Sequence, residues 1–123
     1  KWNPPKKAIN IPMNSTLISW TIENIVKNGI DSIKGEGEIK IELINLNNLV
    51  RILISDNGVG IKENAVSKIF EPGYTTKKGG WGLGLSLVER IIVNFHEGKV
   101  IIKETKFGEG TTFEISLNKK LSY

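Results

Sequence analysis

The sequence predicts an α+β domain, a two-layer α/β sandwich in which a mixed, largely antiparallel sheet is covered by helices on one face. Three observations support this. Apolar residues alternate in two neighbouring runs near the middle of the chain and in two more at its end. Stretches with a helical period of about 3.6 residues lie before and between these runs. The length of 123 residues suits one modest core. Strands that follow each other directly favour antiparallel pairing, and helices grouped around them then cover one face.

The elements follow in order. Residues 1–12 read as a lead-in; they begin Lys1-Trp2-Asn3-Pro4-Pro5 without an initiator methionine, as a piece of a longer polypeptide would. From Thr16 to Ile33 the residues Ile18, Ile22, Ile25, Val26, Ile30 and Ile33 recur at helical spacing, with Asn14-Ser15 as capping candidates and Gly35 as a stop. Glu38 to Leu43 and Val50 to Ser55 alternate as strands around a turn at Asn45 to Asn48. A shorter helix covers Lys62 to Ile69, and Glu71 to Gly80 lacks apolar periodicity and reads as a loop. A helix from about Leu83 to Asn94 presents Leu85, Val88, Ile92 and Phe95 to the core. The last strands, Lys99 to Glu104 and Thr111 to Leu117, flank a Phe107-Gly108-Glu109-Gly110 turn.

Composition narrows the function. Hydrophobic residues make up 39% and charged residues 24%, as in an ordinary globular domain, and there is no cysteine for disulfides or thiolate metal sites. No apolar run approaches the roughly 18 residues of a membrane span, so a soluble, cytoplasmic domain without direct membrane contact is expected. The net charge of +4 is spread over small lysine clusters and forms no nucleic-acid stripe.

Three places carry candidate chemistry. Asn24, Asn28 and Asp31 project from one side of the first helix, opposite the isoleucines. They form either a solvated face or a ridge of oxygens able to hold magnesium beside phosphates. Asp56 follows the parity of Val50, Ile52 and Ile54, which turns its carboxylate toward the buried side at a strand's end. There it needs a partner, such as an exocyclic amine of a base; the Asp-Asn-Gly that follows also reads as a plain turn. The stretch GGWGLGLSL from Gly79 to Leu87 sets flexible backbone against a helix start. It suits either a phosphate cradle of free amides or a hinge. Neither the dinucleotide fingerprint nor the phosphate-loop pattern fits it.

In this order the segments resemble the ATP-binding catalytic domain of sensor histidine kinases, within the superfamily that includes gyrase and the mismatch-repair ATPases. ENIVKNGIDSI resembles the asparagine-bearing helix and DNGVG, from Asp56 to Gly60, the second box. KIFEPGYTTKK resembles the phenylalanine box and lid, GGWGLGLSLVERII the glycine-rich box, and GEGTTF the closing strand motif. Coverage runs from about Ile18 to Leu117. The resemblance implies the Bergerat ATP-binding fold with a lid over residues 71–82, and ATP and Mg2+ as cofactors. It implies Asn28 as the metal ligand, Asn24 and Asp31 beside the phosphates, and Asp56 as acceptor for the adenine amine. Gly58 and Gly60 would let the base approach the backbone, Thr111 would line the adenine pocket and Phe70 would anchor the lid. Ile61, Tyr74, Thr75, Thr76, Gly80, Gly82, Leu83, Gly84 and Leu85 would surround the nucleotide. Lys77 would meet the γ-phosphate, with Lys78 as a substitute, so that Asn24 and Lys77 are the catalytic candidates. The gyrase branch carries a hydrolytic glutamate where this chain has Asn24, which argues against efficient water activation; Glu23 is read as surface. Gly29 and Ser32 stand where alanines are common. The acceptor histidine is expected on a dimerising helical hairpin of the full homodimeric protein rather than at His96, with a response regulator receiver domain as the next partner. Trp20 and Trp81 fit either core packing or contact with that hairpin, and packing is the reading adopted. Two rivals share the fold: a serine kinase of the anti-sigma type and a non-enzymatic nucleotide-binding module.

Overall fold

In the computed structural model, residues 2–3, 11–74 and 84–119 are described. Their backbone forms one five-stranded sheet in the order β1-β2-β3-β5-β4. Strand β1 is Trp2–Asn3, β2 Ile39–Asn45, β3 Leu49–Asp56, β4 Lys99–Lys106 and β5 Gly110–Asn118. β2 with β3 and β4 with β5 pair antiparallel across short turns, β3 pairs antiparallel with β5 across a long connection, and β1 adds a parallel pairing through Trp2↔Ile41 and Asn3↔Glu42. The mixed, largely antiparallel sheet expected from the sequence is therefore present. β1 is the one strand the alternation did not reveal, because two residues carry no period.

Helix α1, Ser15–Ser32, begins where Asn14 accepts the Leu17 N–H at 3.0 Å, a side-chain N-cap. The core joins Ile18 and Ile25 of α1, Ile52 and Ile54 of β3, and Phe113, Ile115 and Leu117 of β5 with Val88 and Ile92 from the helical stretch after residue 84. The buried stripe of α1 is Ile18, Thr21, Ile25 and Gly29. Ile22 and Val26 flank it and Ile30 is 56% exposed, so the predicted isoleucine face is rotated by part of a turn. Gly29 causes the shift: a Cβ there would lie 2.7 Å from Ile39 Cδ1 and 3.2 Å from Asp56 Cβ, so the sheet approaches α1 along the side-chain-free line.

Two expected helices differ in winding. The 62–69 stretch is a 3-10 helix, Glu63–Lys68, that buries none of its residues, so nothing holds it in the wider α form. The longer one starts as α2, Gly84–Glu89, and continues as a π-helical turn, Arg90–Phe95. The π winding delays the next inward position by one residue. Phe95, predicted to face the core, is 65% exposed and His96 is buried in its place. Among the described residues no helix is long and apolar enough to cross a membrane.

Candidate functional site

β3 ends at Asp56, directly opposite Thr111 on β5. Both share the helix-covered side of the sheet with Ile54 and Phe113, so their side chains emerge together. The Asp56 carboxylate is half committed. Oδ1 accepts the Gly58 N–H at 2.9 Å and lies 3.2 Å from the Ser32 hydroxyl, whose one hydrogen it shares with the Gly29 carbonyl at 2.8 Å, whereas Oδ2 makes no hydrogen bond among the described residues. An ionised carboxylate oxygen is a strong acceptor, and Asp56 lines a cleft of about 400 Å³ at the sheet end together with Thr105, Gly110 and Thr111 among others.

The loop after Asp56 is tied down from three directions. Val59 N–H donates to the Ser32 carbonyl at 3.1 Å, Gly108 N–H to the Val59 carbonyl at 2.6 Å, and Ile61 N–H to Thr105 Oγ1 at 3.0 Å. Its glycines answer to the protein's own chain: a Cβ on Gly58 would collide with the Ser32 hydroxyl, and one on Gly60, whose φ is +74°, with the Lys106 carbonyl. Two residues of this framework escaped the sequence reading. Ser32 passed as a substituted alanine, although its place four residues after Asn28 puts it on the same ridge. Thr105 passed as an ordinary strand residue; its only signal was a hydroxyl just ahead of the glycine turn.

On α1, one ridge carries Asn24 and Asn28, both half-buried, and Asp31, Glu23 and Lys27, all exposed. The Asn24 carboxamide makes no hydrogen bond among the described residues and lies against Gly84, the first residue of α2; a Cβ there would come within 2.8 Å of Asn24 Oδ1. Phe70 packs edge-to-face on Phe113, with ring centres 6.4 Å apart and planes at 86°. Ile61, Tyr74 and Leu85 pack against the core cluster, as does Trp20. Thr75, Thr76, Lys77, Lys78, Gly80, Trp81, Gly82 and Leu83 lie outside the described residues.

His96 is 6% exposed. Its Nε2 accepts the Asn14 N–H at 2.9 Å, so Nδ1 carries the hydrogen and donates to the Ile91 carbonyl at 2.8 Å. With both ring nitrogens engaged by backbone, His96 is a joint between the start of α1 and the end of the π turn.

A one-faced sandwich with an acidic strand end, a glycine-braced loop and an asparagine ridge defines a nucleotide-handling class. The chain belongs to the family described as "Histidine kinase-, DNA gyrase B-, and HSP90-like ATPase", matched over residues 13–121. Sporulation kinase A of Bacillus subtilis is 35% identical over 94% of this chain and 19% of its own length. The signal transduction histidine-protein kinase AtoS of Escherichia coli is 38% identical over 86% of the chain and 18% of its own length. The chain thus spans about a fifth of the length of these curated relatives. Among solved structures, the nucleotide-free catalytic domain of histidine kinase ThkA superposes with a TM-score of 0.80 at 34% identity, covering 89% of this chain and 71% of that one. ThkA in complex with the response regulator protein TrrA gives 0.81 at 28% identity, over 97% and 33%.

Proposed function

We propose that residues 1–123 form a single ATP-binding catalytic domain of a two-component sensor histidine kinase. It passes the γ-phosphate of ATP to a histidine on a dimerising helical hairpin outside these residues, and a response regulator receiver domain takes the phosphate next. One observation carries the reading: the bare Oδ2 of Asp56, opposite Thr111 in the cleft, is an acceptor placed for the exocyclic amine of adenine. The homology to sensor kinases and the ThkA complex with TrrA support the partners. Such a domain works in the cytoplasm, free or as the cytosolic part of a membrane-bound sensor.

The residues divide the work by position. Asp56 and Thr111 hold the base, and Phe70 anchors residues 71–82 as a lid. Asn24, with its uncommitted carboxamide beside Gly84, and Asp31 and Gly84 face the phosphates. No group of three or more His, Asp or Glu among the described residues could cage a cation. Magnesium would be held by the Asn28 amide oxygen and shared with phosphate oxygens. When bound, the ion neutralises and orients the phosphates. Lys77 stabilises charge on the γ-phosphate. Asn24 cannot accept a proton, so it offers water no general base where the gyrase branch has a glutamate, which favours transfer of the phosphoryl group to an incoming imidazole.

Calorimetric titration of this chain with Mg-ATP, Mg-ADP and Mg-GTP tests the site: adenine nucleotides should bind and GTP should not. Incubating the full-length protein with γ-labelled ATP tests the reaction and should give an acid-labile phosphohistidine. Labelled serine would favour the rival kinase, and nucleotide binding without any label the non-enzymatic module.

A further inference from the structure

Thr105 stands at an irregular point of the sheet. The register of β4 against β5 shifts between Ile102 and Glu104, and beyond the shift Thr105 pairs with Thr111. Its Oγ1 meets the Ile61 N–H at 3.0 Å, the Gly110 carbonyl at 3.2 Å and Thr111 Oγ1 at 2.7 Å. A hydroxyl has one hydrogen and two lone pairs. The Ile61 amide can only donate and the Gly110 carbonyl can only accept, so one lone pair and the single hydrogen of Thr105 are already assigned. The remaining lone pair faces Thr111, and all three contacts form at once only when Thr111 donates its own hydrogen to Thr105. Thr111 then turns only lone pairs toward the cleft. Asp56 Oδ2, the other group at that strand pair, is likewise an acceptor without a partner among the described residues.

We propose that Thr105 is a specificity-positioning residue: by fixing the direction of the Thr111 hydroxyl it makes this end of the cleft acceptor-only, which admits a 6-aminopurine and repels a 6-oxopurine. The proposal rests on the nucleotide reading above and deepens it. The 6-amino group of adenine offers two hydrogens to two acceptors, whereas a 6-oxo group sets a lone pair against lone pairs. Without Thr105, Thr111 could rotate and donate to that oxygen, and discrimination would relax even though Asp56 is intact. The valine variant keeps nearly the same shape and removes the hydroxyl, while serine keeps the hydroxyl.

The test compares the dissociation constants of Mg-ATP and Mg-inosine triphosphate, which differ at purine position 6, for the wild-type chain and for Thr105→Val and Thr105→Ser. The expected result is a preference for ATP that narrows by about tenfold in Thr105→Val, part of it through tighter inosine triphosphate binding, and returns in Thr105→Ser. Equal weakening of both nucleotides in Thr105→Val, or an unchanged ratio, overturns the proposal and leaves the ATP reading standing. If wild type binds neither nucleotide, the ATP reading falls and takes the proposal with it. Should Thr105→Val fail to fold, Thr111→Val decides: the ratio narrows if Thr111 is an acceptor, and an unchanged ratio overturns the assignment.

Discussion

At the Asp56 end of the cleft, the loop is held by bonds between distant parts of the chain: Ile61 to Thr105 across 44 positions, and Ser32 to Asp56 across 24. At the Asn24 end the carboxamide, which makes no hydrogen bond among the described residues, packs against Gly84. The brace for that second end lies far from it, where His96 joins the start of α1 to the close of the π turn. On the proposed reading, the base is selected at the hydrogen-bonded end of the fold, whereas the phosphates are met where α1 and α2 pack together. Changes at the first end should alter which nucleotide binds; changes at the second should alter how tightly any nucleotide binds.

Asp56→Asn gives the largest expected effect. The amide oxygen can still accept from Gly58, but its NH2 now faces the amine of adenine. Loss of a charge-assisted bond costs about 1.5–3 kcal/mol, so ATP affinity should fall roughly ten- to a hundredfold, with less preference over inosine triphosphate. Calorimetry reads both; retained preference would break the contrast at its first end.

His96→Phe comes next. It keeps a flat ring in the buried space and deletes both hydrogen bonds, leaving the Asn14 N–H and the Ile91 carbonyl without them. Chemical denaturation should show a loss of about 1–3 kcal/mol. ATP and inosine triphosphate should weaken in parallel, because the helices shift while the Asp56 end does not. A change in their ratio would show that the two ends are coupled.

How far the sequence could be read follows the same division. The strands and α1 were legible because their periods run over many residues, and Asp56 was legible because parity carries through β3. Thr105 and Ser32 were not, since their roles are set by partners 44 and 24 positions away, and no local pattern encodes such pairings. The π turn was hidden for another reason. Leu85, Val88, Ile92 and Phe95 fit an α period, and only the burial of His96, sealed by its bonds to Asn14 and Ile91, reveals that the wider winding wins.

Gly84→Ala probes the second end directly. The added methyl would sit 2.8 Å from Asn24 Oδ1, so the carboxamide must turn away. Alanine is otherwise favourable in a helix by up to about 1 kcal/mol, and the melting temperature should hold or rise. Affinity for ATP should fall about three- to tenfold, a cost of order 1 kcal/mol, with the purine preference unchanged. Unaltered affinity would remove Asn24 from the phosphate side.

Thr21→Val tests whether stability and binding can be separated on one helix. Thr21 is fully buried on α1, one turn before Asn24, and its Oγ1 has no hydrogen-bond partner among the described residues. A hydroxyl buried in this way is destabilising, and valine replaces it with a methyl of similar shape, so unfolding should become harder by about 0.5–1 kcal/mol. Thr21 is fully buried and Asn24 only half-buried, and valine keeps the Thr21 shape, so nucleotide affinity should not move. Had the phosphate end been limited by the firmness of α1 itself, the stabilised variant would bind ATP more tightly. An unchanged dissociation constant therefore assigns the limit to the approach of α2, where the Asn24–Gly84 contact forms.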